Sequence, residues 1–218
     1  MATIEGVEVE ISADAVVVSA AAPLTVLSSA VAGGGLGRAR TLVNLHVDKD
    51  CPWQDAEVRL DAFAARRRLA APWVGLLTAA WTERARVAVE SAHGLAALVA
   101  VTVGLSNPVA AGWSAAAAME PGTINTLAVV DADLAPAALV NLVVTLTEVK
   151  ALVLAEAGVA RDGHAASGTS TDAVVVAATG RGPMVRFGGP ISEAGWVAAQ
   201  AARRALTDGV RRWMDEPR

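Results

Sequence analysis

Six consecutive residues, Ser167-Gly168-Thr169-Ser170-Thr171-Asp172, hold the densest set of groups able to do chemistry in this chain. Four small hydroxyl side chains and a carboxylate lie directly before the β-branched run Ala173-Val174-Val175-Val176-Ala177. A glycine there lets backbone approach a ligand, and the following N–H groups and hydroxyls can receive a developing oxyanion. The same composition also suits a polar turn in which Asp172 bonds nearby backbone. A second constellation lies upstream. Asn141, Thr145 and Glu148 recur at i, i+4 and i+7, so they share one face of a predicted helix, with Lys150 pointing the opposite way. Polar groups on a buried helix are costly unless partnered or employed, although such a stripe can equally be a solvated face. Ser106-Asn107-Pro108 reads as a turn that could present Asn107 to a cleft. Asn44 and Asn125 are polar residues inside apolar strand-like runs.

Other groupings carry less. His46, Asp48, Asp50 and Cys51 crowd together, but their spacing matches no metal-ligand pattern, and His93 and His164 are far away in sequence. No metal site is therefore expected. The run Gly33-Gly34-Gly35-Leu36-Gly37 lacks the Lys and Ser/Thr of a phosphate loop and opens no helix.

The elements that must position these groups follow from periodicity. Strand patterns cover Val7–Ile11, Ala15–Ser19, Leu24–Val31, Thr41–Val47, Val74–Thr78, Arg86–Glu90, Leu95–Val103, Thr123–Val130 and Asp172–Ala178. Helices are predicted at Asp55–Ala70, ending before Pro72; at Leu139–Ala157, between Pro136 and Gly158; and at Ile191–Trp213. Strands dominate and are mostly too closely spaced for crossover helices. The expected fold is a single α+β domain spanning residues 1–218, layered, with a mainly antiparallel sheet packed with about three helices. Val174-Val175-Val176 is expected in a central strand. Only Gly158–Ala166 connects the second helix to that strand, so the two can pack antiparallel, and Glu148 and Asp172 are expected to approach one cleft.

Composition narrows the class further. The 218 residues suffice for one large core, the formal net charge is −4, and two lysines accompany sixteen arginines. Arg66-Arg67-Arg68 is the densest basic cluster, and its helix also carries Asp55, Glu57 and Asp61. No basic stripe suited to nucleic acid emerges. The uncharged stretches Ala15–Gly37 and Ser91–Met119 are interrupted by proline and glycine, so neither reads as a membrane span. The single Cys51 excludes an internal disulfide and fits a reducing cytoplasm, the expected location. The opening Met-Ala-Thr-Ile-Glu has no basic or apolar signal character. A homodimer is compatible with the sequence.

Five segments occur in a characteristic order: Val74-Gly75-Leu76-Leu77-Thr78-Ala79-Ala80, Val103-Gly104-Leu105-Ser106-Asn107-Pro108, Thr123-Ile124-Asn125-Thr126-Leu127, Glu148-Val149-Lys150-Ala151, and Ser170-Thr171-Asp172-Ala173. From about Ala30 to about Arg204 the chain resembles the adenosylcobinamide amidohydrolase family. That pattern calls for Thr-Gly-Thr-Gly-Thr-Asp where this chain has Ser167–Asp172, so Ser170 replaces a second glycine, and His46–Trp53 also diverges. The resemblance implies hydrolysis of adenosylcobinamide, a corrinoid, to adenosylcobyric acid and aminopropanol. It implies no cofactor, since the cobalt belongs to the substrate. Amide hydrolysis needs an attacking oxygen, oxyanion stabilisation and a proton for the departing amine. For these we assign Glu148 or Asp172 as general base and acid, and Thr169, Ser170 and Thr171 as nucleophile or oxyanion candidates. Asn125, Asn107, Ser106, Asn141, Thr145, Gly168, Thr78 and Asn44 are then the substrate-binding candidates, with Trp81 and Trp113 as possible cleft walls. A non-catalytic corrinoid-binding protein and an acyl- or amidotransferase would use the same cleft.

Overall fold

The structure is a computed structural model that describes residues 3–117 and 122–216. In chain order its strands and helices are β1 (Val7–Ile11), β2 (Ala15–Ser28), β3 (Gly35–His46), α1 (Ala56–Arg67), β4 (Trp73–Thr78), β5 (Arg86–Ala92), β6 (Leu95–Val103), β7 (Pro108–Val109), β8 (Ile124–Val130) and β9 (Asp133–Leu134). They continue with α2 (Pro136–Glu156), β10 (Ala160–Arg161), β11 (His164–Ala165), β12 (Gly168–Thr169), β13 (Ala173–Ala178), β14 (Met184–Val185) and α3 (Glu193–Asp215).

The main sheet runs β4-β3-β2-β13-β8-β6-β5, with β1 added beside β2. Most pairs are antiparallel; β3–β4 and β8–β13 are parallel. The α+β expectation therefore holds, and Val174-Val175-Val176 lies in β13, the middle strand of that order. The two strands read at Ala15–Ser19 and Leu24–Val31 are one long strand, β2. Its register against β3 shifts between Ser19 and Leu24, around Pro23, which has no N–H for a ladder.

The bend lets the sheet fold over on itself. Asn125 on β8 bonds Asn44 on β3 and the Leu77 carbonyl on β4, although in the hydrogen-bonded order two strands separate β8 from β3 and three separate it from β4. Alternation then assigns each side chain to a layer. Val176 and Ala178 join the core under α2 and α3, whereas Val175 and Ala177 face Val16, Val18, Leu42 and Leu76 of the opposing half. Ala15, Val17, Val43 and Leu45 turn outward again, against Leu60 and Phe63 of α1. The result is four layers: helices, sheet, sheet, helix.

α2 starts with Pro136 in its first turn and stops at Gly158, whose φ of +71° suits glycine. Leu139, Leu142 and Leu154 are completely buried, each stabilising by about 1.5–3 kcal/mol. By length and a mean hydropathy of 1.8 this helix could cross a membrane, but one side of it is core. Val140, Val144 and Leu152 remain exposed on the other. α3 is capped by the Ser192 side chain, which accepts from the Gly195 N–H at 3.1 Å.

Candidate functional site

The hydroxyl segment is held between two elements. The Ser167 N–H bonds the Val109 carbonyl, and Gly168–Thr169 pairs antiparallel with Pro108–Val109. At its far end Asp172 folds back. Its Oδ1 accepts from the Ile124 N–H at 2.9 Å and from Thr169 Oγ1 at 2.5 Å. Its Oδ2 accepts from the Thr169 N–H at 3.0 Å and from Lys150 Nζ at 2.5 Å. Each carboxylate oxygen thus has two donors, which uses the full accepting capacity of the group. Lys150 and Asp172 side chains are only 15% and 13% exposed. Thr169 Oγ1 also lies 2.7 Å from the Gly122 carbonyl. One hydroxyl proton cannot serve both, and the charged oxygen makes the stronger acceptor.

The two positions where the family pattern calls for glycine behave differently. A Cβ on Gly168 would meet Asp172 Oδ2 at 2.3 Å and Lys150 Nζ at 2.9 Å, so a larger residue would have to displace the ion pair. Ser170 is not among the non-glycine residues with positive φ. Its backbone therefore tolerates a side chain, and its Oγ accepts from Asn107 Nδ2 at 2.6 Å.

Thr171 Oγ1 donates to the Gly122 carbonyl at 2.9 Å and forms a short hydrogen bond with Thr123 Oγ1. Gly122 has φ +149°, and a Cβ on it would strike the side chains of Ser106 and Asn107. Gly122 and Ser106 also line a cleft of about 710 Å³, whose other walls include Trp81, Arg84, Arg212 and Trp213. The cleft thus opens on one side of the hydroxyl cluster. Trp81 stacks on His46 with centroids 5.0 Å apart, and the Arg84 guanidinium lies 5.8 Å from its ring centroid. Arg84 and Arg212 share Glu216 as ion-pair partner.

Several expected placements need correction. Asn141 and Glu148 are exposed on α2. Thr145 is buried but donates to the Gly188 carbonyl at 3.0 Å, a packing contact with the segment before α3. The side chain that reaches Asp172 is Lys150, not Glu148, because the turn of α2 that faces the start of β13 carries the lysine. Asn125 and Asn44 are fully buried between the sheet layers. Asn125 Nδ2 donates to Asn44 Oδ1 and to the Leu77 carbonyl, both at 2.8 Å, its Oδ1 accepts from the Ala173 N–H at 3.2 Å, and Asn44 Nδ2 donates to Thr102 Oγ1 at 2.9 Å. Both support the site from beneath and do not line the cleft. Thr78 is likewise buried, accepting from the Ala80 N–H at 3.0 Å and shaping the turn that carries Trp81. Trp113 is exposed and stacks on His164 at 3.9 Å, away from the cleft lining. Among the described residues no three His, Cys, Asp or Glu side chains gather as a metal site.

Sequence reasoning missed Lys150 and the contribution of the end of α3. The signal for Lys150 was present: a lone cation on an apolar helix requires a counter-ion if it is buried.

The solved structures that align with the chain share little sequence with it. A β-aminopeptidase from Burkholderia sp. aligns at 15% identity and TM-score 0.48, covering 92% of this chain and 79% of that one. The PH0078 protein from Pyrococcus horikoshii OT3 aligns at 10% and 0.47, covering 96% and 80%. The L-aminopeptidase D-Ala-esterase/amidase from Ochrobactrum anthropi, described as a variant of the Ntn hydrolase fold, aligns at 11% and 0.41, covering 94% and 83%. No curated protein sequence matches the chain. A family model described as adenosylcobinamide amidohydrolase matches residues 1–218.

Proposed function

The chain belongs to the adenosylcobinamide amidohydrolase family, and on that premise we propose that it cuts its substrate at the inner end of the cleft, where Gly122 meets Thr171. It is a hydrolase of the amide bond that joins aminopropanol to the corrin side chain of adenosylcobinamide, giving adenosylcobyric acid.

One observation carries the choice of site: Gly122 lines the cleft while its carbonyl accepts from Thr171 and lies 2.7 Å from Thr169 Oγ1. Substrate space and the hydroxyl segment meet at this residue. Thr171, hydrogen-bonded to Thr123, attacks the amide carbon through its hydroxyl, the hydroxyl proton passing to the departing aminopropanol nitrogen as the C–N bond breaks. Water then hydrolyses the resulting ester. Alternatively, Thr171 orients a water that attacks directly and gives its proton to the same nitrogen. The Asn107 amide, with Ser106 beside it, stabilises the developing oxyanion. Thr169 and Asp172 act as framework, since the carboxylate already holds four donors. Gly168 makes that framework possible.

The corrin ring carries several primary amides besides the secondary amide to be cut. Selectivity must therefore come from fixing the ring and not from amide chemistry alone. In this reading Trp81, braced by His46 and Arg84, supports the ring. The reading also places the enzyme in the cytoplasm, in keeping with the single Cys51.

Purified protein incubated with adenosylcobinamide tests the activity. Release of free aminopropanol with adenosylcobyric acid is expected. Unchanged ligand would indicate binding alone, and a new amide in the presence of an added amine would indicate transfer. Replacing Thr171 by Ala tests the site: turnover should fall by about two to four orders of magnitude, the usual scale for losing a nucleophile's or proton-transfer group's contribution. Full turnover in that variant would move the site elsewhere.

A further inference from the structure

Lys150 touches neither the cleft nor the hydroxyls assigned to the reaction, yet the site is built around it. Its Nζ lies 2.5 Å from Asp172 Oδ2, and both side chains are largely withdrawn from solvent. The bare Cα of Gly168 makes room for the two groups together, since a Cβ there would crowd both. Asp172 in turn holds the N–H and hydroxyl of Thr169 and the N–H of Ile124. Thr171, the residue before Asp172, faces Gly122.

We infer that Lys150 is a positioning residue for the hydrolysis: it fixes Asp172 and neutralises it beside the place where negative charge develops. The inference rests on the assignment of the reaction to the Gly122–Thr171 end of the cleft. Two physical effects combine. Without the ammonium, the carboxylate loses one of its four donors and the tether to α2, so the Thr169–Thr171 backbone is less firmly set. An uncompensated carboxylate adjacent to Thr171 also repels an oxyanion. Two like unit charges about 6 Å apart at an effective dielectric near 20 repel by enough to slow a step about a hundredfold, which sets the scale of the effect.

The structure offers a direct way to test this. A cavity of about 90 Å³, lined by Ile124, Thr126, Leu146, Thr147, Lys150 and Asp172, reaches the ion pair from the α2 side. It shares no residue with the substrate cleft. Shortening the lysine to alanine enlarges this cavity, so a small alkylammonium ion can occupy the place of Nζ without blocking substrate.

The experiment measures kcat and KM for aminopropanol release by full-length Lys150→Ala, with and without ethylammonium. Tetramethylammonium at equal ionic strength is the control. kcat should fall by about a hundredfold while KM changes by less than about threefold. Ethylammonium should restore at least about tenfold of kcat in a saturable manner, and tetramethylammonium should not. Wild-type kcat, a loss confined to KM, or a loss that ethylammonium does not relieve would overturn the inference. If Lys150→Ala does not fold, Lys150→Gln replaces it: lower kcat at unchanged KM supports the role, and normal turnover refutes it. Failure of the site assignment is separable, because it appears as full turnover in Thr171→Ala with Lys150 intact.

Discussion

Gly168 and Asp172 approach so closely that a Cβ on the glycine would sit 2.3 Å from the carboxylate Oδ2. Gly168→Ala must therefore displace either the segment or the Lys150–Asp172 pair. Turnover should fall by at least about tenfold, with a lower melting temperature, because overpacking a fixed site costs about 1–3 kcal/mol. Ser170→Gly should behave in the opposite way. It restores the glycine of the family pattern and removes the hydroxyl that accepts from Asn107, so kcat should stay within about fivefold of wild type, the scale of an ordinary hydrogen bond. Steady-state kinetics and melting curves of the two variants decide whether only the first glycine is structurally required.

Asp172→Asn places an amide where four donors converge. Whichever way the amide is turned, its NH2 faces two of those donors, and one of the present bonds is to an ammonium ion. Breaking such a pair should cost about 3–5 kcal/mol of stability. Denaturant unfolding should show a lower midpoint, and turnover of the folded fraction should drop by at least about a hundredfold. An unchanged midpoint would mean that the carboxylate is not the anchor described above.

Glu148→Gln should leave both stability and turnover near wild type. The side chain is exposed on α2 and the place beside Asp172 is taken by Lys150. Surface changes of this kind are usually worth less than about 0.5 kcal/mol. A large loss of kcat would restore Glu148 as a participant and undo the assignment of framework and reacting groups.

Asn125→Ala removes the link between the two sheet layers. It strands the Leu77 carbonyl, Asn44 Oδ1 and the Ala173 N–H, all partnered by the Asn125 amide. Leaving buried polar groups unpaired costs about 1–3 kcal/mol each, so the variant should melt well below wild type. A melting temperature unchanged within error would contradict the network.

Trp81→Ala removes the exposed indole at the cleft wall while leaving the Thr171 end untouched. KM for adenosylcobinamide should rise by about tenfold with kcat little changed, as expected when contacts made equally in ground and transition states are lost. If kcat falls instead and KM holds, the indole orients the reacting amide and does not merely support the ring.

The sequence by itself determined the strand alternation, the three helices, the α+β class and the polar segment preceding β13, because these depend on local periodicity and turn chemistry. Its ordered segments also carried the family resemblance. Tertiary structure alone decided which polar groups meet. α2 has apolar residues on nearly every side, so its pattern shows that Asn141, Thr145 and Glu148 share a direction but not which direction faces the sheet. Lys150, two residues beyond Glu148 and about 200° around the helix, occupies the side that counts. The bend in β2 between Ser19 and Leu24 likewise brings Asn44 against Asn125, residues 81 positions apart. Periodicity fixes how side chains alternate within one element, whereas the meeting of two faces depends on how whole elements pack.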